Sequence, residues 1–292
     1  MKKLVAAFLC AAMIIGGFAT TALAYEEGDA RVTIGADLTD EQKAQIYADF
    51  GIAEGDVPEI VVTNENEREY LEGIAPEGKI GSVALSCVYI VIGAESSGLD
   101  ITTKNINWCT SEMYTNALMT AGITDAKVMV SAPFPVSGTA ALTGIYKAYE
   151  DITGQSLSEL AKSVGVEELI TTGDLAEYIG SEEATEIVNE LKKILDQTQT
   201  MTDDEVRSEI RRIAAEYKVV ITDAQVEQLL KLCRSLEKLD VDELRQKLIN
   251  LAETVDKAGK AAETFTKIGE SIKTFFSSVG AFFAKIFGGD KG

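Results

Sequence analysis

The sequence predicts an α+β fold, in which an N-terminal α/β domain with short strands and a central β-hairpin is followed by a helical C-terminal region. Short strand patterns alternate with helix patterns up to about residue 151, and strand patterns stop from residue 156 onward. We divide the 292 residues into a signal peptide (1–24), the α/β domain (25–151), the helical region (152–262) and an amphipathic C-terminal helix or tail (263–292).

Five runs rich in apolar and β-branched residues predict the strands, at 31–34, 59–63, 83–92, 99–108 and 127–131. The stretch 93–98, which contains glycine and serine, separates the third run from the fourth and is typical of a hairpin turn. A hairpin centred near Gly98 places Cys87 opposite Cys109. The two cysteines are then either a cross-strand disulfide or two buried thiols.

Capping residues predict four helices in the α/β domain, at 42–50, 65–71, 111–121 and 139–150. The first follows a capping-box pattern of Thr39 and Gln42, the second follows Asn64, and Thr110 or Ser111 caps the third. The first and third helices both end in Gly-Ile and lead into a strand. This similarity indicates either a duplicated β-α-β unit or a common way of ending a helix.

Beyond residue 156, four patterns of the capping type predict helix starts, at Ser156, Asp174, Thr202 and Thr222. Apolar residues then recur at helical spacing, as in Val206, Ile210, Ile213 and Tyr217, or in Val226, Leu229, Cys233 and Leu236. Such stripes are typical of a helical core, and they place Cys233 in that core. We therefore expect short antiparallel helical hairpins here.

The first 24 residues have the pattern of a cleaved secretory signal. Lys2 and Lys3 precede an apolar run over 4–19, and Ala22-Leu23-Ala24 fits the small-x-small cleavage site. The alternative is a membrane anchor, but the apolar run is short for a span of about 20 residues. Cleavage near Ala24 predicts a secreted or cell-envelope protein.

Charge and composition exclude several classes of function. Loss of residues 1–24 leaves 25 basic against 47 acidic side chains, a net charge of −22 that disfavours nucleic acid as a partner. The chain has no histidine, which excludes Ser-His-Asp and Cys-His catalysis and histidine-containing zinc sites. We identify no catalytic residue, no metal site and no cofactor from the sequence.

Ser137, Gly138 and Thr139 follow a predicted strand and open a helix, so their exposed N–H groups form a possible anion-binding site. The alternative is a plain helix cap, which the absence of a basic neighbour favours.

The C-terminal segment combines a phenylalanine-rich face with a weakly basic one. Its apolar residues step by three and four, and they form a possible membrane or partner contact: Phe265, Ile268, Ile272, Phe275, Phe276, Val279, Phe282, Phe283 and Ile286. The alternative is a terminal helix that folds back on the helical region.

Several blocks of sequence resemble the domain-of-unknown-function 1002 family, which consists of predicted exported proteins, mainly from Firmicutes. The blocks are VTIGADLT (32–39), VTNE (62–65), IGS (80–82), MYTNALMTAGI (113–123), VSAPF (130–134) and SGTAALTG (137–144). The resemblance implies an envelope or extracellular role in a Gram-positive bacterium. It supplies no activity and no catalytic residue.

Three hypotheses of function follow. The first is a non-enzymatic protein that binds an envelope component or a partner protein. The second is a protein that acts at a membrane surface through the C-terminal helix. The third is a cell-wall hydrolase that uses paired carboxylates or a Ser/Lys dyad, neither of which needs histidine.

Overall fold

The computed structural model describes residues 25–258. The predicted signal peptide and the predicted tail (263–292), including the proposed contact residues Phe265 to Ile286, lie outside the described residues. Within the described part, none of the helices combines the length and the apolar character that a bilayer crossing requires. Export and membrane contact therefore stay predictions.

Five strands form one mixed sheet in the order β2-β1-β3-β5-β4. They are β1 (Ala30–Gly35), β2 (Glu59–Val62), β3 (Cys87–Ile92), β4 (Leu99–Ile106) and β5 (Ala126–Val136). β1 pairs in parallel with β2, and β4 in parallel with β5, whereas β3 is antiparallel to both of its neighbours. β1, β2, β4 and β5 therefore point the same way.

Helices surround the sheet and make up the rest of the fold. Those of the first half are α1 (Asp40–Phe50), α2 (Asn64–Leu71), α3 (Glu77–Ile80), α4 (Ser111–Ala121) and α5 (Thr139–Thr153). Those that follow are α6 (Glu159–Ile179), α7 (Ser181–Lys193), α8 (Leu195–Thr198), α9 (Asp203–Glu216), α10 (Asp223–Leu236) and α11 (Val241–Ala258). A sheet in the first half with helices after it confirms the α+β prediction.

The predicted central hairpin is wrong. β3 and β4 are consecutive in the chain, but β5 lies between them and pairs with both. Val128 and Val130 of β5 are fully buried, and an apolar strand between two others satisfies its backbone groups on both sides. Cys87 consequently lies opposite Ser131 instead of Cys109, and the structure has both cysteines as free, buried thiols.

The cysteines allow a direct test of this correction. Burial raises the pKa of Cys87 and of Cys109 to about 12, and that of Cys233 to about 11. In a chain without residues 1–24, we expect Ellman's reagent at pH 8 to react slowly with the native protein. In guanidinium without a reductant it should titrate all three thiols. A count of one thiol after unfolding would show the disulfide instead.

Two β-α-β units flank β3. β1-α1-β2 and β4-α4-β5 are each a pair of parallel strands joined by one helix. Both helices start at a threonine cap, Thr39 or Thr110, and end at a glycine in the left-handed conformation, Gly51 or Gly122. The sequence similarity therefore marks two units of the same type. They sit differently in the sheet, because the interior strand is the first of one unit and the second of the other.

The capping predictions at Thr39, Thr202 and Thr222 are confirmed. The hydroxyl of each threonine accepts the backbone N–H of the residue three positions later. The side chain of that residue, a glutamine or glutamate, accepts the backbone N–H of the threonine. The second helix is capped by Thr63 and not by Asn64, because the Thr63 hydroxyl accepts the N–H of Asn66.

The helix starts predicted at Ser156 and Asp174 are wrong. α6 begins after Ser158, whose hydroxyl accepts the N–H of Ala161, and it continues unbroken past Asp174. Apolar residues along this helix pack into two cores. The helix therefore continues through Asp174, and the capping pattern there does not start a new helix.

α6 joins the two halves of the molecule. Val166, Leu169 and Ile170 pack into the core between the sheet and its helices, whereas Val164 and Leu175 pack into the helical core. A separate cluster, which includes Tyr47 and Phe50 of α1, covers the opposite face of the sheet.

A fully buried ion pair reinforces this junction. Lys192 of α7 lies 2.8 Å from Glu168 of α6, and their side chains are 0% and 1% exposed. Lys192 also donates to the Thr120 hydroxyl at 3.0 Å, and that hydroxyl donates to Glu168 at 2.5 Å. The network therefore ties α4, α6 and α7 together.

The close contact between α4 and α6 depends on Gly165 of α6, because a glycine has no side chain. A Cβ at Gly165 would lie 2.7 Å from the Ala117 carbonyl oxygen and 2.7 Å from the Tyr146 hydroxyl. We expect Gly165→Ala to destabilise the chain by about 1–3 kcal/mol in urea unfolding, because the two helices must move apart. Gly78→Ala is the control, since a Cβ there meets nothing within 4 Å. Equal effects of the two changes would contradict the close approach.

Candidate functional site

The ends of the four co-directional strands define one edge of the sheet, which we call the carboxyl edge. Each of β1, β2, β4 and β5 leads directly into a helix, so the N-termini of α1, α2, α4 and α5 lie there too. In open α/β sheets, ligands bind outside the carboxyl ends of the strands. The carboxyl edge is therefore the candidate binding site of this fold.

A segment that we call the strap, residues 73–86, runs from α2 across the carboxyl edge into β3 and contains α3. On one side, Arg68 and Asn64 of α2 donate to the Gly81 carbonyl at 3.0 and 3.5 Å. The Ala84 N–H donates to the Asp37 carboxylate at 2.7 Å. These bonds hold the backbone of the strap close to the ends of β1 and β2.

Gly35, the last residue of β1, allows the strap to lie against the sheet. A Cβ at this position would lie 2.3 Å from the Ala84 carbonyl oxygen, which belongs to the backbone of the strap. Only a glycine therefore fits at the end of β1 while the strap holds this position.

The predicted anion-binding residues hold the other side of the strap. The hydroxyls of Ser137 and Thr139 donate to the Lys79 carbonyl at 3.0 and 2.9 Å. Gly138 adopts the left-handed conformation, and its carbonyl accepts the Tyr114 hydroxyl proton at 2.5 Å. The two hydroxyls thus anchor α3 to the start of α5, and the Gly138 carbonyl links the same site to α4. Anion binding by their N–H groups stays a prediction.

The Lys79 side chain reaches a cluster at the far end of α6. Its ammonium lies 4.4 Å from the centre of the Trp108 ring and 2.5 Å from the Glu177 carboxylate. The Trp108 ring N–H donates to the same carboxylate at 2.7 Å, and the ring lies against Gly173. The hydrogen bond from Lys79 lowers the pKa of Glu177, whereas burial raises the pKa of Asp174 on the same helix.

One buried acid at this edge forms no ion pair within the described part of the chain. Glu67 of α2 is 1% exposed, and its Oε2 accepts the Asn64 side-chain N–H at 3.1 Å. Its Oε1 has no hydrogen-bond partner among the described protein groups. Burial raises the pKa of Glu67 to about 7, and the nearby Asp37 adds to the effect. From the sequence, Glu67 is one of the acids in the first turn of a helix, where a carboxylate complements the helix dipole.

Comparison with known proteins identifies the family. Residues 34–255 match the model of the protein of unknown function family DUF1002, a range that covers most of the chain. The chain belongs to this family. It is 37% identical over 290 residues to the uncharacterized protein YpuA of Bacillus subtilis (strain 168), with 98% of this chain and 97% of that protein covered. No solved structure matches the chain.

Five of the six blocks that carry the family resemblance lie at the carboxyl edge or lead to it, whereas the sixth, 113–123, forms most of α4. They are far apart in the sequence, but 32–39 and 62–65 span the ends of β1 and β2, and 80–82 lies in the strap. The block 130–134 leads to the end of β5, and 137–144 forms the start of α5. The fold therefore brings family-like segments together at a single place.

A shallow cavity of about 450 Å³ lies at the opposite end of β2. It is lined by the loop 54–58 with Tyr47 and Glu59. Lys43 lies 2.7 Å from Glu54 and 2.9 Å from Glu59, and the Tyr47 hydroxyl also donates to Glu59. The polar groups of this cavity therefore already bind one another.

Proposed function

We propose that the chain is exported and acts outside the cytoplasm as a non-enzymatic binding protein that recognises an envelope component or a partner protein through the carboxyl edge. The observation that carries the proposal is the convergence of family-like blocks on this edge. Export is supported by the signal pattern of residues 1–24.

The chemistry of the edge favours binding over catalysis. Ser137 and Thr139 donate to a backbone carbonyl and not to a base, and Cys109 is a buried thiol with a pKa near 12. Two large apolar side chains are nevertheless exposed here, Val83 of the strap at 47% and Phe134 of β5 at 46%. Both side chains are therefore accessible to a partner that binds at this edge.

Site-specific photocrosslinking in intact cells tests this proposal. A photoreactive phenylalanine analogue replaces Phe134 or Val83, and the matched control replaces Val220, which is 94% exposed and lies between α9 and α10. We expect a defined adduct from the edge positions and none from Val220. Identical adducts from all three positions would contradict a recognition surface at the edge.

Two further measurements address export and the absence of catalysis. We expect wall extracts or culture medium to hold a chain that starts at Tyr25, and recovery of a chain that starts at Met1 from the cytosol would contradict export.

Incubation of the pure protein with peptidoglycan should release no soluble fragments in mass spectrometry, and released fragments would support the hydrolase hypothesis.

The phenylalanine stripe of the C-terminal segment supports a second candidate function, attachment to a membrane surface. Four lysines against two acids over 264–292 suit an anionic bilayer. Flotation with anionic liposomes tests it, and we expect deletion of 264–287 to abolish flotation. Unchanged flotation after the deletion would remove this candidate.

A further inference from the structure

The buried carboxyl of Glu67 is energetically unusual. With one oxygen unpartnered among the described groups and 1% exposure, its ionised form is a buried charge that only the Asn64 hydrogen bond stabilises directly. Such a charge is unfavourable in a protein interior, and the group then takes up a proton or gains access to water. The protonation state of Glu67 is therefore coupled to the packing around it.

The charged groups near Glu67 do not neutralise it. Asp37, after β1, raises its pKa, and Arg68, on the same helix, lowers it by less than burial raises it. Arg68 is engaged with Glu77 of the strap, to which it donates at 3.0 and 3.3 Å. Lys162 of α6 and Glu150 of α5 also lie beside α2, where they pair with each other close to Tyr70, one turn further along.

The groups that bear on Glu67 also hold the strap. The Asn64 side-chain nitrogen donates to Glu67 at 3.1 Å and lies 3.5 Å from the Gly81 carbonyl. Asp37 accepts the Ala84 N–H. A full negative charge on Glu67 strengthens its hydrogen bond from Asn64, at the expense of the bond from Asn64 to Gly81. The same charge repels Asp37, which accepts the Ala84 N–H. Both effects weaken the attachment of the strap.

We propose that Glu67 is a proton-binding site that controls the strap, so that the strap covers the carboxyl edge when Glu67 is neutral and opens when Glu67 releases its proton to solvent. Opening admits water to the carboxylate and exposes the ends of β1 and β2. That the exposed edge is a binding surface rests on the proposed function. The movement of the strap does not, because it is measured without a ligand.

Hydrogen exchange of the full chain, followed by mass spectrometry at pH 5.5 and pH 8 and corrected for intrinsic rates, tests the proposal. In the wild type we expect peptides within 73–86 to lose protection by about tenfold or more at pH 8, while β5 peptides do not change. Glu67→Gln should keep the strap protected at both values. The matched control is Glu69→Gln, an exposed acid on the same helix, which should behave like the wild type.

The proposal is overturned if the strap of Glu67→Gln loses as much protection as that of the wild type, or if the wild type shows no change. A carboxyl titration of Glu67 by NMR needs no variant, and a midpoint near 4.5 would overturn the proposal as well. Because exchange does not depend on a partner, failure of photocrosslinking with an intact pH response would count against the proposed function alone.

Discussion

Replacement of Lys192 by methionine should lower the free energy of unfolding by roughly 3–5 kcal/mol, measured by urea unfolding at pH 7. Lys192 is fully buried, and it supplies the cation for the equally buried carboxylate of Glu168. Methionine fills a similar volume but leaves that carboxylate with the Thr120 hydroxyl as its one donor among the described residues. The loss therefore reports an unpaired buried charge and not a cavity.

Two comparisons separate the charge from other effects. Lys231 pairs with Glu167, the neighbour of Glu168 in the chain, but its side chain is 71% exposed, so Lys231→Met should cost less than about 1 kcal/mol. The double change Lys192→Met with Glu168→Leu removes both charges and should recover more than half of the loss. If Lys192→Met costs no more than Lys231→Met, the pair does not hold the junction between the two halves.

The parts of the fold that were predictable are those determined by neighbouring residues. The positions of the five strands, although β5 extends five residues beyond its predicted end, and the capping boxes at Thr39, Thr202 and Thr222 follow from patterns of residues close together in the sequence. The Gly-Ile helix ends are of the same kind, because Gly51 and Gly122 stop their helices by their own backbone conformation.

The errors concern choices among distant partners. A turn pattern at 93–98 is compatible with a hairpin, yet whether β3 pairs with β4 or with β5 depends on which strand gains most from a central position. The start predicted at Asp174 failed because the packing of α6 against two cores outweighs a local capping signal. The sequence also contains no sign that Lys192 meets Glu168, 24 residues away on another helix.

The candidate site was predictable only in part. Ser137, Gly138 and Thr139 were correctly placed at the start of a helix. The bonds from Ser137 and Thr139 to the Lys79 carbonyl were not predictable, because they join residues 58 and 60 positions apart in the sequence. Glu67 did carry a signal that was overlooked. It lies three and four residues before Tyr70 and Leu71, and hence on the apolar face of α2, where an acid is unexpected.

The same acid gives the chain a distinctive dependence of stability on pH. Because the pKa of Glu67 is about 7 in the folded chain and its usual value is 4.5, the unfolded chain releases this proton first as the pH rises. The folded chain therefore binds more protons between pH 4.5 and 7, and stability contributed by neutral Glu67 is lost across that window. The whole shift corresponds to about 3 kcal/mol, which is fully lost above pH 7.

Glu67→Gln isolates this contribution from the titration of the other acids, since glutamine stays neutral at every pH. We expect the variant and the wild type to differ little in urea unfolding at pH 4, and the variant to be more stable by roughly 2–3 kcal/mol at pH 8. Glu69→Gln, on the exposed side of the same helix, should shift stability by a small amount that does not change with pH. A constant difference between Glu67→Gln and the wild type would mean that Glu67 titrates alike in both states, and water would then have to reach its carboxyl while the strap is closed.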